Sequence, residues 1–159
     1  MLSSSRGSTE RAEQYRSLYE RARESRLDEP SWLIQLRDEA IERFTEIGFP
    51  LPKDEDWRFT PIGPIAETDF SFPSPGEAAL GADAVPWTEE VSDTRIVLVN
   101  GQVLADHTQL DALPAGMVVC SLREVLDREG DHVEALLGRI AEGGPSISSL
   151  NTAFMEDVL

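Results

Sequence analysis

One thiol, two imidazoles and a run of carboxylates are the side chains in this sequence whose types could do chemistry. Cys120 is the single cysteine, so an intrachain disulfide is impossible. An iron–sulfur cluster or structural zinc held by cysteines of one chain needs about four such ligands. Cys120 follows Val118 and Val119 in a strand-like run, where a thiol packs as a small hydrophobe, and no His or Lys adjoins it to lower its pKa. His107 falls in a polar loop and His132 at a helix start, with no partner ligand at helical spacing. Asp54, Glu55 and Asp56 form the densest acidic run, but they stand in a Pro-rich stretch where a solvated turn is expected. They also lack the alternating ligands and central Gly of a calcium loop. No phosphate-cradling glycine loop and no Gly-x-Ser-x-Gly elbow is present. The residues therefore offer no catalytic, metal or cofactor site, and a function exercised through partners is expected. Two other classes stay open at this point. One is a small metal- or ligand-binding enzyme domain in which His107, His132 and Cys120 meet in space, and the other is a self-contained adaptor.

Charge narrows the partners. Asp and Glu number 30 against 14 Lys and Arg, a formal net charge of −16. Such a field repels phosphate backbones and anionic lipid, which argues against nucleic acid and membrane surfaces. Lys53 is the only lysine, and an acidic, lysine-poor surface fits a salt-adapted source. No apolar run approaches the roughly 20 residues that span a bilayer, and 1–7 lack the apolar stretch of a secretory signal. A cytoplasmic chain is expected.

The elements that must position these residues follow from periodicity and punctuation. Residues 8–27 contain no Gly or Pro, and Tyr15, Leu18, Tyr19 and Ala22 make one narrow apolar stripe, so a helical arm is expected. A second helix is expected after a cap at Asp28 or Ser31, with Leu33, Leu36, Ala40, Phe44 and Ile47 on its buried face. Gly48 ends it in a left-handed conformation, Phe49 folds back onto it, and Pro50 blocks continuation. Pro50, Pro52, Pro61 and Pro64 then predict an extended path to about Phe72, with Trp57 as a core anchor, and a looser loop over 73–86. Arg95-Ile96-Val97-Leu98-Val99 reads as a buried strand, and Asn100-Gly101 as a type I′ hairpin turn before Gln102-Val103-Leu104-Ala105. Met117-Val118-Val119-Cys120 reads as another strand. Ser121 to Glu124 spells a capping box for a helix over Val125 and Leu126, and Asp131 and Glu134 open a further helix ending at Gly143-Gly144-Pro145. The stretch 148–159 reads as an element cut short.

Three segments, in order, resemble a known family. Gly48-Phe49-Pro50 followed by Lys53, Glu55 and Trp57-Arg58-Phe59-Thr60 is similar to a segment of SufD, a subunit of the Suf iron–sulfur cluster assembly machine. Ile96 to Gly101, then Leu113 to Val119 with Ser121-Leu122, resembles the family's hairpin and following strand and helix. Leu150-Asn151-Thr152-Ala153-Phe154 with Asp157 resembles the approach to its main domain. Phe59 stands where the family usually has Tyr, and Val158 where Gly is common.

The resemblance implies an α+β fold: N-terminal helices, an extended Pro-rich segment, a small β-hairpin or sheet with two short helices, and the truncated start of a parallel β-helix. The match covers about residues 31–159, and together with the arm read from periodicity it divides the chain into an arm helix over 1–30, an α/β domain over 31–147 and the opening of the β-helix over 148–159. It further implies a non-enzymatic part of a scaffold whose partners are SufB and SufC, with the family's functional residues and its ATPase-docking surface beyond these residues. SufB shares the architecture, and the Lys-x-Glu-x-Trp-Arg-Phe-Thr pattern favours SufD. The residues that carry the resemblance are Gly48, Phe49, Pro50, Lys53, Glu55, Trp57, Arg58, Phe59, Thr60, Asn100, Gly101, Leu150 and Asn151.

Overall fold

A computed structural model describes residues 3–24, 26, 28–71, 94–139 and 146–155. The expected loop over 73–86 and the Gly143-Gly144-Pro145 stop lie outside the described residues. The chain divides into two compact units, Met1–Asp69 with Asp131–Met155, and Phe70–Gly130 with Glu156–Leu159.

The first unit is helical. Helix α1 spans Ser3–Arg23, longer at its start than the 8–27 expectation and shorter at its end. Its stripe buries Ala12, Tyr19 and Ala22, with Tyr15 and Leu18 half-buried, at the expected spacing of three and four. Arg21 and Arg23 in the last turn complement the negative end of the helix dipole. Helix α2 spans Ser31–Ile47 and packs against α1 and α5 (Ser146–Phe154). Its N-cap is Pro30 with no side-chain cap hydrogen bond, which corrects the Asp28 or Ser31 expectation. The buried face is Leu33, Arg37, Ile41 and Phe44, so the stripe is rotated from the expected one, and Ile47 is 55% exposed.

At the end of α2 the expected stop is present. Gly48 has φ 74° with ψ −171°, an extended positive-φ conformation open to glycine and not the compact left-handed cap expected; its N–H donates to the Phe44 carbonyl at 2.7 Å, and its own carbonyl accepts from the Ser146 hydroxyl. Phe49 turns back into the core, its ring edge-to-face with Phe44 at 5.1 Å and with Tyr15 at 5.4 Å. Phe154 joins the same aromatic cluster, 6.0 Å from Tyr19. The core thus sits where α1, α2, α5 and Phe49 converge.

The path from Leu51 onward is a chain of tight turns, not the extended segment expected. Asp54 Oδ2 accepts the Leu51 N–H at 2.8 Å, a 3-10 turn follows at Glu55–Trp57, and α3 is one short turn over Gly63–Ala66 with Pro64 in its first positions. Proline is tolerated at the start of a helical turn, where its missing N–H has no partner to lose, so spaced prolines permit short turns as readily as an extended chain. Ile62 and Ala66 pack on the core.

In the second unit the Asn100-Gly101 turn is as expected, with φ 50° and 81°. It joins β1 (Leu98–Val99) to β2 (Gln102–Val103), pairing Leu98 with Val103 and Val99 with Gln102. The flanking chain continues as an isolated bridge between Arg95 and Gln109, with both hydrogen bonds at 2.8 Å. A 3-10 turn covers Ala105–His107. The strand expected at 117–120 is absent: those residues pair with nothing regular, and Met117 and Val118 are exposed. A short apolar run becomes a strand only if an edge is available to pair with.

Helix α4 (Leu122–Leu136) is continuous where two helices were expected. Its start carries half of the capping box, the Glu124 N–H donating to Ser121 Oγ at 3.2 Å. Gly130 lies inside it with open space around its Cα, so it weakens the helix without breaking it. The described residues of the 148–159 stretch, expected to open a parallel β-helix, form α5 and its last turn instead. The α+β class therefore holds only coarsely, as a mostly helical chain with one two-residue hairpin among the described residues. No described helix is long and apolar enough to cross a membrane.

Candidate functional site

His132 is exposed, while Cys120 and His107 are half-buried. The His107 backbone carbonyl accepts from Arg95 Nε at 2.9 Å, and its Nδ1 is buried without a hydrogen-bond partner. Among the described residues no three of His, Cys, Asp and Glu come together as metal ligands. Of the three residues of the alternative centre, His107 and Cys120 belong to the second unit and His132 to the first. Asp54 accepts one backbone N–H within its turn, and Asp54, Glu55 and Asp56 are all exposed.

What the first unit does assemble is a groove of about 730 Å³ between α1 and the turns that follow α2. Its floor is apolar: Phe49, Pro50, Leu51, Trp57, Pro61, Ile62 and Ala66. Glu10, Arg11 and Gln14 reach it from α1, and Arg58, Thr60 and Glu67 from the opposite wall. Arg11 ties the two walls together. Its Nη1 donates to Asp69 Oδ1 at 2.6 Å and to Gln14 Oε1 at 2.7 Å, and its Nη2 to the Glu67 carbonyl at 3.1 Å. Prolines and tight turns hold the floor in one shape, so little ordering entropy remains to be lost when it is covered.

Five residues singled out in the sequence line this groove: Phe49, Pro50, Trp57, Arg58 and Thr60. Trp57 is half-buried there and not the enclosed anchor expected. Phe59 is 87% exposed, with the Arg58 guanidinium carbon 5.3 Å from its ring centroid. Gly48 is buried at the α2 stop, and Lys53 and Glu55 are exposed. Asn100 and Gly101 form the hairpin turn of the second unit, and Leu150 packs on the core while Asn151 faces out of α5.

A second groove, of about 660 Å³, lies among α2, the end of α4 and α5. Its lining mixes Glu39, Glu134, Arg43 and Arg139 with the hydroxyls of Ser148, Ser149 and Thr152, and no singled-out residue faces it. Gly138 lies on its wall at φ 77°, and a Cβ there would stand 3.0 Å from Leu36 Cδ1.

Sequence reasoning missed a buried ionic cluster at the far end of α5. Arg37, 2% exposed, meets Glu29, and its Nη1 donates to the carbonyls of Ala153 and Met155. Arg26 Nη1 reaches the same Ala153 carbonyl at 3.3 Å. Burial, with the Arg26 cation behind it, pulls the Arg37 guanidinium below its ordinary value, while Glu29 pulls the other way. A signal existed: Arg37 stands four residues from both Leu33 and Ile41, in the middle of the buried stripe. Nearby, the buried Tyr19 hydroxyl donates to Asp38 Oδ1 at 2.7 Å, and Arg23 Nη2 holds Oδ2 of the same carboxylate at 3.2 Å.

The arrangement can bind an apolar segment and has no convergent nucleophile, base or ligand set among the described residues. Against this geometry the comparisons are direct. The profile of the family described as the SufBD protein N-terminal region matches residues 9–159. An iron–sulfur cluster assembly SufBD family protein of Synechocystis sp. is 26% identical over 131 residues, which cover 81% of this chain and 28% of that relative. The chain thus spans under a third of that relative's length. No solved structure matches it. A match running from within the first helix to the last residue means that this chain belongs to the SufBD N-terminal-region family.

Proposed function

We propose that the chain is the N-terminal region of a SufD-like subunit of the Suf iron–sulfur cluster assembly scaffold, working in the cytoplasm through protein contacts and not as an enzyme. SufB and SufC are its partners in this reading. The observation that carries it is the family match over 9–159. Lys53, Glu55 and Trp57-Arg58-Phe59-Thr60 favour SufD over SufB, and three of these residues, Trp57, Arg58 and Thr60, line an apolar groove suited to a protein contact.

Co-purification of the chain with SufB and SufC from the same source tests the proposal. A complex stable through gel filtration is expected, along with no stoichiometric iron or zinc on the chain alone after dialysis. Failure to join either subunit, or turnover of a substrate by the purified chain, would overturn it.

A further inference from the structure

The groove between α1 and the turns after α2 has a two-part character that names its occupant. Its floor is apolar and rigid, with Trp57 open enough to be touched and Phe59 projecting beside it. Its surroundings are acidic. Glu10 and Glu67 stand on opposite walls, and Asp54, Glu55 and Asp56 crowd the turn that carries Trp57, all with exposed side chains. The cations nearby do not balance them. Arg11 is engaged by Asp69, which leaves Arg58 and Lys53 as two positive charges against these five carboxylates.

We propose that this groove docks a basic amphipathic segment of a partner protein, apolar side chains on the floor and Lys or Arg against the acidic walls. This deepens the interaction reading given above and rests on it. Aromatic residues in a fixed concave surface supply contact area at low entropic cost. The excess of carboxylates, Glu10 and Glu67 on the lining and Asp54, Glu55 and Asp56 on the adjoining turn, attracts a cationic segment from a distance and repels an anionic one with the same apolar face. A net charge of −16 extends the same preference over the whole approach.

The test uses a fluorescent synthetic peptide of Leu and Lys at helical spacing, and its Leu and Glu counterpart, titrated with the full chain by anisotropy. Two double variants carry equal charge changes at exposed positions: Glu10→Lys with Glu67→Lys on the groove, and Glu42→Lys with Glu46→Lys on α2 away from it. The expected result is binding of the Leu/Lys peptide only, weakened about tenfold by the groove pair and by less than about twofold by the α2 pair, a gap of roughly one order in Kd. Equal weakening by both pairs would mean that bulk charge alone attracts the peptide, and would overturn the proposal, as would no binding of either peptide. Self-association lost on Trp57→Ser would assign the groove to a second copy and overturn it too. If any of these occurs while the chain still joins SufB and SufC, the scaffold reading stands and only the docking chemistry falls.

Discussion

Arg37 and Glu29 face each other at the point where α5 ends. Arg37 Nη2 donates to Glu29 Oε1 at 3.1 Å, and Nε lies 3.0 Å from Oε2 at ion-pair distance without hydrogen-bond alignment. The remaining guanidinium donor takes the last carbonyls of α5, so one cation closes both the start of α2 and the end of α5. Helix ends leave carbonyls without partners, and here a buried arginine supplies them.

Removing one partner of this pair strands the other in a desolvated site. Arg37→Met and Glu29→Gln are each expected to lower unfolding stability by about 3–5 kcal/mol, the range for breaking a buried ion pair. Arg128→Ala, which removes an exposed pair with Glu124 on α4, should cost about 0.3–0.5 kcal/mol. Urea denaturation of the three variants checks the contrast. Arg37→Met as stable as the parent chain would mean that the cluster contributes no net stability.

Two phenylalanines separated by fifteen positions, Phe44 and Phe59, should behave oppositely. Phe44 is fully buried among Tyr15, Phe49 and the α1 stripe, so Phe44→Ala is expected to cost about 3–5 kcal/mol. Phe59→Ala removes a ring already in solvent and should change stability by less than about 0.5 kcal/mol. Trp57→Ala should fall between them, because Trp57 is half-buried on the groove. Thermal unfolding of the three proteins gives the order directly.

Local signals and tertiary ones separate cleanly along this chain. The Gly48 stop, the Asn100-Gly101 turn and the Ser121 cap could be read from the sequence because each is decided by the backbone preferences of one or two residues. The burial of Arg37 could not be read from hydropathy, since its cost is offset by Glu29 and by carbonyls from the far end of the chain. The run 117–120 looked like a strand by composition, yet whether it pairs depends on an edge that composition does not specify. The groove was half legible: the aromatic and proline residues stood out as a motif, but Arg11, Gln14 and Glu10 join them only because α1 lies across the turns. The helical form of 146–154 is carried by Ile147, Leu150 and Phe154, whose spacing of three and four puts one face on the core, a pattern too short to stand out from sequence alone.

Alkaline pH should destabilise the first unit through Tyr19. Burial, then the hydrogen bond to Asp38 and that carboxylate's charge, hold its phenol well above the ordinary value of 10.0. A group whose folded pKa is raised gives stability that is complete below its unfolded pKa and is lost as pH climbs above it. Unfolding free energy is therefore expected to be flat to about pH 9 and to fall beyond about pH 10, the unfolded tyrosine range. Tyr15, raised chiefly by burial, adds in the same direction. Tyr19→Phe should lower stability at pH 7 by about 1 kcal/mol for the lost hydrogen bond and flatten the alkaline slope. An unchanged slope in the variant would show that Tyr19 is not the responsible group.

Gly138 should resist replacement for two independent reasons. Its φ of 77° is a conformation that L side chains rarely adopt, and an added Cβ would lie 3.0 Å from Leu36 Cδ1. Gly138→Ala is expected to cost roughly 1–2 kcal/mol from the backbone alone, with Leu36 having to shift as well. Gly130→Ala, in open space on α4, should instead stabilise by up to about 1 kcal/mol. The pair, measured by chemical denaturation, separates a glycine the backbone requires from one it merely tolerates.

The charge balance itself makes the last prediction. With 30 carboxylates against 14 cations, repulsion acts within the folded chain and relaxes on unfolding. Raising salt to about 1 M shortens the screening distance to roughly 3 Å, which removes repulsion between exposed carboxylates while leaving the buried Arg37–Glu29 contact nearly untouched. The melting temperature is therefore expected to rise from dilute buffer to molar KCl, and to rise less in a variant with several exposed Glu changed to Gln on α1 and α2. A melting temperature no higher in molar KCl would overturn both the repulsion argument and the expectation of a salt-adapted surface.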